Sequence, residues 1–116
     1  MYKALQISPM IPSFDISKTM GFFTDLLGFT IYRNDGHYVI LQKDYNTIHL
    51  LRAGQDIGEM EFYLEVDDID QVWINIQDRL DGIKHKAPFE QVYGMKEIHI
   101  VVPATNTLLF IGESTK

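Results

Sequence analysis

Asp15-Ile16-Ser17-Lys18-Thr19-Met20-Gly21-Phe22-Phe23-Thr24-Asp25-Leu26-Leu27-Gly28 has a counterpart 53 positions later, Asp68-Ile69-Asp70-Gln71-Val72-Trp73-Ile74-Asn75-Ile76-Gln77-Asp78-Arg79-Leu80. Asp15, Ile16, Asp25 and Leu27 return as Asp68, Ile69, Asp78 and Leu80. The apolar positions match too, with Ile16, Met20, Phe23 and Leu27 answering to Ile69, Trp73, Ile76 and Leu80. That spacing traces one helix face at 3.6 residues per turn. Asp15 is placed to cap the first helix; Asp67 and Asp68 both remain open as the cap of the second. Gly28 and Gly82 supply the permissive backbone beyond each end.

Outside the helices the pattern is that of strands. Leu5–Met10 precedes the first helix, and Thr30–Arg33, Tyr38–Lys43 and Thr47–Arg52 follow it. Met60–Val66 precedes the second, and Ile83–Pro88, Glu97–Val102 and Leu108–Ile111 follow it. Asn34-Asp35-Gly36 and Asp44-Tyr45-Asn46 carry turn chemistry. Each half therefore reads strand, helix, three strands, and such self-similarity points to a duplicated supersecondary unit. The expectation is a single α+β domain over 1–116. Module 1 covers about 1–56 and module 2 about 57–116, with Ala53–Gly58 as the linker.

A second echo, 60 positions apart, sets Asn46-Thr47-Ile48-His49-Leu50-Leu51 against Asn106-Thr107-Leu108-Leu109-Phe110-Ile111. Side chains alternate between the faces of a strand. Met60, Phe62, Leu64 and Val66 are expected under a helix, with Glu61 and Tyr63 on the other face. His49 shares its face with Thr47 and Leu51. The two shifts relate four positions: Ser8, His49, Glu61 and Leu109.

Composition narrows the functions. The 116 residues suit one core rather than two independent ones, so the halves must share a core or an interface. Cysteine is absent, which excludes disulfides, thiolate metal sites and a cysteine nucleophile, and fits a cytoplasmic location. A net charge of −6, with scattered basic residues, argues against nucleic acid. No apolar run reaches the ~20 residues of a membrane span, so no membrane partner is expected.

The tandem unit resembles the vicinal oxygen chelate superfamily, which includes glyoxalase I, extradiol dioxygenases and bleomycin-resistance proteins. Phe22-Phe23-Thr24-Asp25-Leu26-Leu27-Gly28-Phe29 is similar to its Phe-Tyr-x-x-x-Leu-Gly-Phe signature, and Tyr63-Leu64-Glu65-Val66-Asp67-Asp68-Ile69-Asp70 to its second strand-to-helix junction. Tyr93-Gly94-Met95-Lys96-Glu97, with Pro103 and Asn106, resembles its closing segment. The resemblance implies tandem βαβββ modules that form a curved mixed sheet around a cleft, helices outside, in a homodimer. In metal-dependent members the ligands would stand at Ser8, His49, Glu61 and Leu109. Leu109 has no lone pair and neutral Ser8 is a poor ligand, which leaves only His49 and Glu61 as metal candidates.

Ser8-Pro9-Met10-Ile11-Pro12 and Tyr93-Gly94-Met95 resemble the bleomycin-resistance branch, whose members bind a drug without metal or chemistry. The implied function is metal-independent sequestration of a small organic, antibiotic-like ligand, cationic if the acidic balance decides. Its pocket would comprise Ser8, Met10, His49, Glu61, Tyr63, Tyr93, Met95 and Leu109. The alternative is a lyase, isomerase or dioxygenase using zinc, nickel, manganese or iron, or His49 and Glu61 as a metal-free catalytic pair. On residue type alone, His49 equally fits a hydrogen-bonded core histidine and Glu61 a solvated sheet face. His37, His85 and His99 read as structural or exposed, Trp73 as core, and Tyr93 with Met95 as loop residues able to form a lid.

Overall fold

Two aspartates start the two helices. The computed structural model describes all of residues 1–116. Asp15 and Asp68 have extended backbone, and their carboxylates accept from the N–H groups of Lys18 (3.3 Å) and Gln71 (3.1 Å). Each bond satisfies a donor that a helix N-terminus leaves unpaired. Asp68 is therefore the second cap. Helix α1 (Ile16–Gly21) widens into a π turn over Phe22–Leu26, and α2 (Ile69–Ile76) tightens into a 3-10 turn over Gln77–Arg79. The wide turn carries both Phe22 and Phe23 into the core.

The strands are β1 (Met10–Ser13), β2 (Thr30–Asn34), β3 (Tyr38–Lys43), β4 (Asn46–Arg52), β5 (Met60–Glu65), β6 (His85–Glu90), β7 (Met95–Val101) and β8 (Thr107–Ser114). They form two four-stranded sheets, ordered β1-β4-β3-β2 and β5-β8-β7-β6. In each the first strand lies parallel to the last, and the other neighbours are antiparallel. The fold is α+β, two βαβββ modules, as the sequence pattern predicts.

One apolar cluster serves both modules. It joins Phe23, Leu41 and Leu50 of the first to Ile76, Ile98 and Ile111 of the second. Polar contacts reinforce the seam: Thr19 Oγ1 donates to Pro103 O (2.8 Å), Phe14 N–H to Ala104 O (2.8 Å) and Arg79 Nη1 to Asp25 O (2.8 Å).

Two expectations need correction. The strand expected at Leu5–Met10 begins only at Met10, with Ile11 and Ser13 facing the core. Leu5 and Ile7 alternate with polar residues as a strand would, but they remain exposed and no neighbouring strand takes up their backbone. The second correction concerns register. The buried side chains of β4 are Ile48 and Leu50; those of β8 are Thr107, Leu109 and Ile111, with Gly112 buried beside them. Leu109 therefore points into the core and does not share the open face with His49. A two-residue turn joins β3 to β4, whereas Val102–Asn106 separates β7 from β8. With that longer connection the ladder equivalents, His49 beside Met10 and Phe110 beside Tyr63, stand one position further apart than the echo implies, and a slip of one residue turns every side chain to the opposite face. The residue that answers to His49 is Phe110.

Candidate functional site

Strand β7 alternates cleanly: Ile98 and Ile100 enter the core, while Glu97, His99 and Val101 occupy the face away from helix α2. Across the ladder these three meet Gly112, Phe110 and Leu108 of β8. Glu97 thus begins on the open face of its sheet, yet its exposure is 0%. Neighbouring side chains close over it. Tyr63 reaches across from β5, and Gln91 and Tyr93 fold back from the β6–β7 connection.

Four donors saturate the carboxylate. Tyr63 Oη (2.8 Å) and Tyr93 Oη (2.7 Å) donate to Oε2; Gln91 Nε2 (3.1 Å) and His99 Nε2 (2.8 Å) lie on Oε1. Burial by itself pushes the Glu97 pKa up. The bonds from His99, Tyr93, Tyr63 and Gln91 outweigh it and hold the pKa down to about 2. Glu97 is a buried anion at neutral pH. The same contacts act in reverse on the phenols. Tyr63 is pushed above its ordinary value by burial, then by its bond to Glu97 and that charge, and Tyr93 is raised mainly by its bond to Glu97.

Aromatic rings continue the surface. His99 packs edge-on against Phe89 (4.9 Å between centroids) and tilted on Phe110 (4.2 Å), and Tyr63 stacks with Phe110 (6.1 Å). Lys86 Nζ lies 3.8 Å over the Phe89 ring. The result is an aromatic shelf with a fixed negative charge beneath it.

The first module has a different polar pair on its equivalent face. Tyr38 Oη lies 2.7 Å from His49 Nδ1, and Met10 stands beside His49 in the ladder. Ser8 contacts Thr47, which also contacts Gln6. Of the residues expected in a pocket, Tyr63 and Tyr93 converge on Glu97, and Met95 is half-buried at the foot of the same loop. Ser8, Met10 and His49 gather on the first sheet. Glu61 is exposed beside Lys84, Val101 and Leu108, with no hydrogen bond or ion pair to His49. Leu109, in the core, borders an apolar hollow of about 270 Å³ beside Phe23, Phe62 and Tyr63.

Glu97 is not among the residues singled out in the sequence, and His99 is read there as structural or exposed, yet the two are hydrogen-bonded partners. The signal was present: a Glu and a His two apart, alternating with Ile98 and Ile100, must share one strand face.

A divalent ion does not fit these residues. The matched ladder positions are Met10 with His49, and Tyr63 with Phe110. Phe110 offers no donor, and His49 Nδ1 and Tyr63 Oη already have partners. Nowhere do three His, Asp or Glu side chains converge.

No family model matches the chain. A bleomycin resistance protein of Geobacillus stearothermophilus is 25% identical over 94% of this chain and 97% of its own length. The crystal structure of a bleomycin resistance determinant encoded on the transposon Tn5 superposes with a TM-score of 0.79 at 25% identity, covering 97% of this chain and 100% of that one. A lactoylglutathione lyase from Agrobacterium tumefaciens shares the fold, with a TM-score of 0.76 at 15% identity, covering 97% of this chain and 96% of its own. Along nearly its whole length the chain is thus similar to bleomycin resistance proteins in sequence and fold, a likeness that supports the resemblance to the vicinal oxygen chelate superfamily.

Proposed function

We propose that this protein sequesters a small organic molecule, without a metal ion, on the open faces of its sheets. One observation carries the reading: the second module joins Phe89, Phe110, Tyr63 and Tyr93 to a buried, ionised Glu97. Aromatic area with a few oriented polar groups is the usual makeup of a small-molecule site. The net charge of −6 favours a cationic ligand, and the 25% identical relatives are named for resistance to bleomycin. Tyr63, Tyr93 and Met95 are its proposed contacts in the second module, and Ser8, Met10 and His49 in the first. Glu61 extends the second face, and Leu109 backs it from the core.

The donor set described above supports a metal-free site. The protein is further proposed to be a cytoplasmic homodimer, in which a partner covers the exposed Tyr2, Leu5 and Ile7. No helix is long and apolar enough to cross a membrane.

Calorimetric titration with metal-free bleomycin, in the presence of chelator, tests the assignment. Saturable binding that weakens at least about tenfold in Tyr63→Ala or Phe110→Ala is the expected result, in line with removal of a buried aromatic contact. Binding that appears only after a divalent ion is added would refute the metal-free reading.

A further inference from the structure

We propose that Glu97 and His99 form a carboxylate–imidazole base, able to take a proton from an acidic C–H or O–H group of a molecule on the open face. This is an activity separate from sequestration, and its failure would leave the binding reading intact.

The geometry defines the direction of transfer. Glu97 is fully buried and accepts from His99 Nε2 at 2.8 Å. A carboxylate can only accept, so Nε2 carries the hydrogen, and the neutral form of His99 has its lone pair on Nδ1. Nδ1 has no hydrogen-bond partner, and no buried side-chain nitrogen or oxygen in the protein lacks one. Nδ1 is therefore not sealed from solvent, on a side chain that is 19% exposed. Phe89 and Phe110 pack on the ring and fix its direction. Three further donors keep Glu97 in place, so its charge is ready to stabilise the imidazolium when it forms. His49 lacks that support, because its partner is the neutral phenol of Tyr38.

The benzisoxazole probe 5-nitrobenzisoxazole tests proton abstraction directly. Nδ1 takes the carbon-bound hydrogen as a proton, and the C–H electron pair becomes the second π bond of a nitrile. The N–O bond breaks, its pair leaves on the phenolate oxygen, and the imidazolium returns its proton to water. His99 is the catalytic residue and Glu97 a positioning residue.

Elimination should exceed that of free imidazole at equal concentration. It should disappear in His99→Gln, fall at least about tenfold in Glu97→Gln, and stay unchanged in His37→Gln, an exposed turn substitution. Nitrogen-15 spectra of the unsubstituted protein should show the Nε2–H tautomer of neutral His99, and Glu97→Gln should shift the population toward Nδ1–H. The spectrum of the unsubstituted protein decides the tautomer even if a variant fails to fold. A rate no greater than free imidazole, retention of activity in His99→Gln, or an Nδ1–H tautomer in the unsubstituted protein would each overturn the proposal.

Discussion

The phenol of Tyr63 crosses directly above Gly112: a Cβ at residue 112 would sit 1.8 Å from Tyr63 Oη. Gly112 is also the ladder partner of Glu97. A missing side chain on β8 is what lets β5 reach β7 over the strand between them. Gly112→Ala should displace the ring and break its bond to Glu97, a loss of about 1–3 kcal/mol in urea unfolding. In a Tyr63→Ala background the same substitution should cost much less, since its obstacle is gone. Equal costs in both backgrounds would show that Gly112 serves another purpose.

Acid should weaken the fold through Glu97. Its folded pKa of about 2 lies below the usual 4.5, so between those values the unfolded chain binds more protons. The contribution is complete above about pH 4.5 and is lost as pH falls toward 2. Its full size is roughly 3 kcal/mol. Glu97→Gln should flatten this part of the stability profile, as measured by urea midpoints between pH 6 and 2.5.

Neighbouring residues on β8 should behave as opposites. Leu109 is at 0% exposure among core residues, and Leu109→Ala should cost about 2–5 kcal/mol. Phe110 lies on the open face, half-buried, so Phe110→Ala should cost less stability and more ligand affinity. Thermal melts and ligand titrations of the two variants separate these effects.

Zinc, nickel or manganese should leave the melting temperature unchanged, because no three strong donors meet. A specific ion would stabilise the fold by mass action. A rise that persists in excess salt and vanishes in His49→Ala would contradict the donor-set argument.

The helices were legible because each carries its own signals. Asp15 and Asp68 cap, and Phe23, Leu27, Ile76 and Leu80 mark the buried face. The face of β5 was legible from alternation, with Phe62 and Leu64 packed on the core and Tyr63 turned away. Strand pairing is not local in that sense. Leu5 and Ile7 have the alternation of a strand but no neighbour, and nothing near them in sequence records that lack. The 60-residue echo placed Leu109 against His49 because identical letters, Asn-Thr, outweighed the different lengths of the two turns. Glu97 was hidden for a related reason. Its burial depends on Tyr63, which is distant in sequence, and on a loop whose path only the folded chain defines.

The parallel pairing of the outermost strands also constrains how the chain can assemble. Met10 finds its rung only at His49, and Met60 only at Thr107. Neither sheet can gain its first strand until nearly all of its own half has been synthesised, whereas β3–β4 and β7–β8 can zip as hairpins. Long-range parallel closure is slow compared with hairpin formation. Nascent chains should therefore carry two preformed hairpins and a late, rate-determining docking of β1 and β5. With β5 docks Tyr63, so the cover over Glu97 is among the last parts of the molecule to be completed.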